Sequence, residues 1–116
     1  SNAEQRRHRR VRYRDPVQVT PIGVAFDQCP RALLAEDVSR TGLQLTSPEV
    51  FKVGARLLMA LEPAELAAAP ISLVGTVIWV AQEGIQERFR LGVAFEDIGE
   101  TAREQLNRLT RKRGLV

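Results

Sequence analysis

The stretch FRLGVAF, residues 89–95, alternates apolar with polar or small residues more cleanly than any other part of the chain. Because successive side chains of a strand point to opposite faces, this period of two predicts a β-strand with one buried face. The preceding segment 71–81 is apolar on both faces, with Leu73, Val77 and Trp79 sharing one of them. These two segments predict two strands of the fold.

Further segments with a period of two lie on the N-terminal side of this pair. Five to seven short strands separated by Gly, Pro and Asp are typical of an antiparallel barrel or sandwich. A barrel is favoured, since closure removes the exposed edges of so small a sheet. These strands are predicted at Val17 and Val19, continuing past Pro21 through Ile22, Val24 and Phe26; at 31–37; at Leu43 and Leu45; and at Leu57, Met59 and Leu61. Phe26, Phe89 and Phe95 are expected on core-facing sides.

The last segment changes period and predicts one C-terminal helix packed against the barrel. Its basic end, 111–113, suits the negative end of a helix dipole, and Gly114 can end the helix. Earlier in the chain, prolines bracket 63–70 and predict an exposed loop. The apolar residues at helical spacing are Ile98, Ala102, Leu106 and Leu109. The predicted fold class is therefore an all-β antiparallel barrel with a C-terminal helix.

Charge divides this chain of 116 residues unevenly. Six of the 17 Lys and Arg residues lie within nine positions, 6–14, and from Asp15 onward the chain has 11 basic against 13 acidic residues, a balance of −2. The predicted organisation is a cloning remnant at 1–3, a basic N-terminal arm at 4–14, and the barrel with its helix at 15–116. A basic arm on a near-neutral body predicts binding to an anion.

Several function classes lack the residues they need. The one histidine, His8, lies within the arginine run, and Cys29 has no histidine near it in sequence. The acidic pairs 36–37 and 96–97 have adjacent members, which point to opposite faces of a strand. There is no glycine-rich phosphate loop, and no stretch is long and apolar enough to span a membrane. We therefore expect no enzyme, no metal or cofactor, no membrane insertion, and a cytoplasmic location that suits a single thiol.

Two motifs remain that could recognise a ligand. The first is RRHRR, residues 6–10, and the second is DVSRTG, residues 37–42, in the turn between two predicted strands. The planar guanidinium of arginine donates paired hydrogen bonds that suit phosphates and the O6 and N7 acceptors of guanine. Asp37 and Ser39 offer acceptors to the guanine N1 and N2 hydrogens. Taken singly, the first motif is often a solvated arm and the second often only a turn.

In this order, and over nearly the whole chain, the two motifs resemble those of the PilZ domain family of bacterial cyclic di-GMP receptors. The RxxxR motif of the family matches Arg6 and Arg10, and its [D/N]xSxxG motif matches Asp37, Ser39 and Gly42. The stretches 77–80 and 91–95 are similar to the last two barrel strands of the family, and the resemblance implies a six-stranded antiparallel barrel.

The resemblance implies a role for each of these residues. Arg6 and Arg10 would contact the phosphates and the acceptor edge of guanine, with Arg7 assisting. Asp37 and Ser39 would form hydrogen bonds with the guanine base or a nearby phosphate, and Gly42 would leave room in the loop for the ligand. Trp79 is a further candidate beside the base, although core packing is the favoured interpretation for a lone tryptophan in a strand.

The resemblance also implies a function in second-messenger signalling. Cyclic di-GMP would fold the arginine arm onto the barrel, and the changed surface would signal to an unidentified downstream protein. Gln5 precedes the first motif arginine, and in the family that position influences whether one nucleotide or a stacked pair is bound. The number of nucleotides bound per chain therefore stays open. Motility, pili, exopolysaccharide and virulence are all compatible processes. The alternatives are a small basic barrel that binds single-stranded nucleic acid, for which the chain has few aromatic residues, and a scaffold that binds only protein.

Overall fold

The computed structural model describes residues 10–64, 69–85 and 87–114 of the chain. Within these ranges an almost entirely β chain ends in one helix. In chain order the elements are β1 (Val11–Arg12), β2 (Pro16–Pro21), β3 (Arg31–Val38), β4 (Gly42–Ser47), β5 (Arg56–Leu61), β6 (Ile71–Gln82), β7 (Phe89–Glu96) and α1 (Glu100–Gly114).

Six of these strands close into an antiparallel barrel in the order β3-β2-β5-β6-β7-β4, with β4 pairing back onto β3. Closure leaves β4 paired on both edges, to β3 through Val38↔Leu43 and to β7 through Leu43↔Val93. The short strand β1 is additional, since it pairs with the end of β3 on the edge that β2 occupies further along. The six-stranded barrel with a C-terminal helix predicted from sequence is confirmed.

The core fills the barrel and continues beneath the helix. Directly opposed residues on adjacent strands share a face, so the pairings place one row of buried side chains across five strands. The helix buries Ala102, Leu106 and Leu109, as its spacing predicts. Phe89 and Phe95 are partly buried against this core, which confirms their predicted side. The buried row is Val11, Val38, Leu43, Val93 and Val77.

The prediction that this strand continues through Phe26 is wrong. The strand β2 ends at Pro21, and Phe26 is fully exposed at 102% relative accessibility. Proline has no N–H to donate to a ladder, and Gly23 takes a positive φ of 80°, so the backbone leaves the sheet here. Ile22 and Val24 are accordingly exposed in a loop instead of alternating into the core.

The predicted loop at 63–70 does connect two strands, β5 and β6. Its residues 65–68 lie outside the described ranges. Ala64, Ala69 and Pro70 are exposed as predicted, but Pro63 is buried, so the loop begins against the barrel. No helix in the described part of the chain is long and apolar enough to cross a membrane.

A polar brace ties three neighbouring strands together on the outside of the barrel. Both Nε and Nη2 of Arg56 on β5 lie 3.0 Å from Oε2 of Glu96 on β7, and Thr76 on β6 donates its hydroxyl proton to Glu96 Oε1. The bond from Thr76, and next the bond from Arg56, lower the pKa of Glu96 below its ordinary value of 4.5, because both favour the charged carboxylate.

We predict that Glu96→Gln makes stability less dependent on pH on the acid side. A carboxylate with a lowered pKa stabilises the fold above the pKa of the unfolded chain, and this stabilisation is lost as the pH falls through the folded pKa. The free energy of unfolding should therefore be lower in Glu96→Gln than in the parent at neutral pH. The difference should shrink below pH about 4.5, as measured by urea denaturation at several pH values.

Glu62→Gln is the matched control, since Glu62 is an exposed carboxylate just beyond β5. A constant difference between parent and Glu96→Gln across the acid range would contradict the prediction.

Candidate functional site

The second motif forms the tight turn between β3 and β4, and Ser39 holds that turn together. The Ser39 N–H donates to the Gly42 carbonyl at 2.8 Å, while Ser39 Oγ accepts from the N–H groups of Thr41 at 3.2 Å and Gly42 at 3.3 Å. Ser39 is only 1% exposed. The structure thus employs this hydroxyl within the turn, and the contact to a guanine or phosphate expected for Ser39 stays a prediction.

The glycine of the motif is required by a close approach of two backbones. A Cβ on Gly42 would lie 2.3 Å from the carbonyl oxygen of Val93 on β7, a distance that no real contact allows. The N–H of Phe95 also donates to the Thr41 carbonyl at 2.8 Å, which fastens the turn to β7. Gly42 is therefore needed for barrel closure at this point, in addition to any approach of a ligand.

The two motifs meet in an ion pair. Arg10 Nη1 lies 2.7 Å from Asp37 Oδ1, joining residues 27 positions apart in sequence. The Arg10 side chain is 47% exposed and the Asp37 side chain 25% exposed, so both remain accessible from solvent. An exposed pair of this kind contributes roughly 0–1 kcal/mol to stability.

Asp37 belongs to a row of side chains that crosses the outer surface of the barrel. The pairings Arg12↔Asp37, Asp37↔Gln44, Gln44↔Gly92 and Gly92↔Trp79 put five residues from β1, β3, β4, β7 and β6 side by side on one face. We call these five residues the outer row. Asp37 and Trp79 are separated by three strand spacings, about 14 Å measured along the curved sheet.

Trp79 lies in the outer row because of a β-bulge, and the core packing favoured from sequence is wrong. The register between β6 and β7 shifts between Val77 and Trp79, so Ile78 is the extra residue. Alternation is thereby reversed, and Val80 turns toward the core in place of Trp79. The half-buried indole covers Gly92, where an added Cβ would lie 2.0 Å from Trp79 Nε1.

Sequence reasoning missed two residues hidden within the arginine run. Val11 is 5% exposed and Tyr13 is completely buried, so the predicted arm enters both the sheet and the core at its C-terminal end. The only available signal was the spacing of these two apolar residues, which is too short to define a strand. The motif residues Arg6 and Arg7, like His8, lie outside the described ranges. Arg10 is the described arginine of the first motif.

Groups suited to metal binding are not brought together in the part of the chain that the structure describes. Within residues 10–64, 69–85 and 87–114, no cluster of three or more His, Cys, Asp or Glu side chains could hold a metal ion. Cys29 is exposed. The polar groups of both motifs meet at the Arg10–Asp37 pair, which is the candidate site.

The fold and this site together define a class: a small closed β-barrel whose arginine motif and aspartate turn meet on the outer surface. Residues 4–112 match the model of the PilZ domain, and the chain belongs to the PilZ domain family. None of the curated proteins compared with the chain matches its sequence.

Solved structures of similar fold include three proteins of this kind. The Bacillus subtilis inhibitor of motility MotI (DgrA) superposes with a TM-score of 0.76 at 17% identity, over 93% of this chain and 50% of that one. The PilZ domain of YcgR from Escherichia coli with c-di-GMP superposes with a TM-score of 0.69 at 17% identity, over 96% of this chain and 92% of that one. The complex of K. pneumonia MrkH with c-di-GMP superposes with a TM-score of 0.69 at 13% identity, over 94% of this chain and 52% of that one. The chain thus spans about half the length of MotI and MrkH. Identities of this size show a common fold.

We predict that Gly42→Ala lowers the free energy of unfolding by about 3 kcal/mol, near the upper end of typical overpacking effects. The new methyl group would meet a backbone oxygen, which cannot move without disturbing the β4–β7 ladder. Urea denaturation of the parent and the variant measures this loss.

Gly99→Ala serves as the control, because a Cβ there meets nothing within 4 Å. We expect that variant to lose less than about 1 kcal/mol, the scale of a weakened helix cap. Equal losses in the two variants would contradict the role assigned to Gly42.

Proposed function

We propose that this domain is a receptor for cyclic di-GMP and that the ligand binds where Arg10 meets Asp37. The observation that carries the proposal is the 2.7 Å contact between these residues, since it joins the two sequence motifs in one accessible place. Membership of the PilZ family and the c-di-GMP complexes of YcgR and MrkH support the choice of ligand.

The donors and acceptors at the ion pair complement both parts of this ligand. Arg10 uses one N–H toward Asp37, and a guanidinium has further N–H groups for a phosphate or for guanine O6 and N7. Asp37 accepts through Oδ1, which leaves acceptor sites on Oδ2 for the N1 and N2 hydrogens of guanine. The existing pair can therefore orient both groups before the ligand arrives.

The outer row extends the proposed site beyond the motifs. Gln44 follows Asp37 along the row, and the Trp79 indole beyond it covers Gly92. A half-buried indole on the surface offers an apolar face to a purine base. We propose that the ligand extends from Asp37 toward Trp79, while Arg6 and Arg7 contact its phosphates from the arm.

The proposed consequence of binding is a change in the arginine arm. Two phosphate charges would neutralise arm arginines that otherwise repel one another, so the arm can pack on the barrel. The resulting surface would be recognised by a downstream protein, and the domain would act as a receptor without catalytic groups of its own. Ordering an arm costs about 1–2 kcal/mol per residue, which favours micromolar affinity, near −8 kcal/mol.

We predict saturable binding of cyclic di-GMP in a calorimetric titration, with a micromolar dissociation constant. Arg10→Ala and Asp37→Asn should each weaken binding at least tenfold, because each loses charge-assisted hydrogen bonds to the ligand. Both variants should keep the free energy of unfolding within about 1 kcal/mol of the parent, since the ion pair is exposed.

Arg103→Ala is the control for charge alone, because Arg103 is exposed on the helix outside the motifs. GTP and a short single-stranded oligonucleotide test the choice of ligand. The proposal fails if the parent gives no binding heat at about 100 μM cyclic di-GMP. It also fails if the oligonucleotide binds more tightly, with the steep salt dependence of nucleic-acid binding.

A further inference from the structure

The last turn of the helix α1 is fastened to the residues that follow the first motif. Arg113 donates from Nη2 to the Asp15 carboxylate at 2.9 Å and from Nη1 to the Arg12 carbonyl at 3.2 Å. Its guanidinium carbon also lies 4.7 Å from the centre of the Tyr13 ring. One side chain from the end of the chain thus contacts three residues in 12–15. We call this set of contacts the Arg113 clamp.

The clamp acts on a short segment with few other backbone bonds. The strand β1 has only two residues, paired with Val38 and Asp37, and the Tyr13 N–H donates to the Glu36 carbonyl at 3.2 Å. Two-residue strands are weak on their own. The buried Tyr13 ring anchors the segment in the core, and the Arg113 guanidinium covers that ring from outside with 21% of its side chain exposed.

The held segment is also the one that delivers the first motif to the second. Arg12 lies opposite Asp37 in the outer row, and Arg10, two residues earlier, makes the ion pair with the same aspartate. A displacement of the backbone at Arg12 would therefore move Arg10 relative to Asp37. Arg113 itself makes its described contacts with 12–15, away from that pair, and it lies one residue beyond the family match at 4–112.

We propose that Arg113 is a positioning residue for the ligand site, acting through the clamp to hold the first motif in register with Asp37. The inference rests on the proposed function, because it assigns Arg113 an effect on cyclic di-GMP affinity. By thermodynamic reciprocity, a ligand that orders the arm also strengthens the clamp, so binding at the motifs stabilises the C-terminal turn of α1.

The test combines affinity with amide hydrogen exchange on the whole chain. Arg113→Ala removes the clamp, Arg113→Lys keeps a charge for Asp15 without the planar fork, and Asp15→Asn weakens the clamp from its other side. Arg111→Ala is the matched control, an exposed arginine in the same helical turn. Cyclic di-GMP affinity is measured by calorimetry at two salt concentrations, and exchange is measured at 11–13 and 109–113 with and without the ligand.

We expect Arg113→Ala to bind about tenfold more weakly, which corresponds to one more backbone residue to be ordered on binding. Arg113→Lys and Asp15→Asn should lie between this variant and the parent, and Arg111→Ala should match the parent. Without ligand, the amides of residues 11–13 should exchange faster in Arg113→Ala than in the parent. The ligand should slow amide exchange at residues 109–113 only in proteins whose clamp is intact. The salt dependence should stay that of the parent, since Arg113 does not touch the ligand.

A purely structural arginine would lower thermal stability but leave the affinity of the folded protein and the ligand-induced protection unchanged. That result overturns the inference, as does an equal loss of affinity in Arg113→Ala and Arg111→Ala. If Arg113→Ala does not fold, Asp15→Asn and Arg113→Lys decide the question. A parent that binds no cyclic di-GMP overturns the proposed function, and this inference with it; a parent that binds normally beside an unaffected Arg113→Ala overturns the inference alone.

Discussion

The close approach of β4 to β7 at Gly42 is the constraint on which the site depends. The missing side chain lets the backbone of the turn pass against the Val93 carbonyl, and β4 can then pair with β3 and β7 at once. That double pairing closes the barrel. Because closure fixes the register of β3, β4 and β7, it also fixes which side chains share a face. Gly42 therefore places Asp37 on the outer surface without touching it.

The barrel interior is filled by apolar side chains, so the polar groups that a ligand could meet lie on the outer surface. The outer row gathers charged, amide and aromatic side chains at Arg12, Asp37, Gln44 and Trp79, with the glycine between the last two left clear for the indole. The ion pair to Arg10 adds the first motif to this surface. Sheet register and two bulges, at Glu36 and at Ile78, thus bring groups from five strands into one row on the outer surface.

Period-two alternation predicted a barrel of five to seven strands and helical spacing predicted the C-terminal helix, because each pattern reflects a face that must be buried. Local signals failed where the backbone leaves regular geometry. The bulge at Ile78 reversed the face of Trp79, and Gly23 after Pro21 left Phe26 in solvent. The two motifs could be recognised in the sequence, and their role in binding stays a prediction. The burial of Tyr13, by contrast, involves contacts with a helix 100 positions away, which no local pattern contains.

The most direct test of where the ligand binds is a crystal structure of the chain with cyclic di-GMP. We expect one guanine within hydrogen-bond distance of the Asp37 carboxylate, Arg10 on the phosphate or on guanine O6 and N7, and the ligand extending along the outer row toward Trp79. A ligand seated elsewhere, such as the cavity of about 260 Å³ beside Arg56 and Glu96, with Arg10 and Asp37 still bonded only to each other, would contradict the assignment.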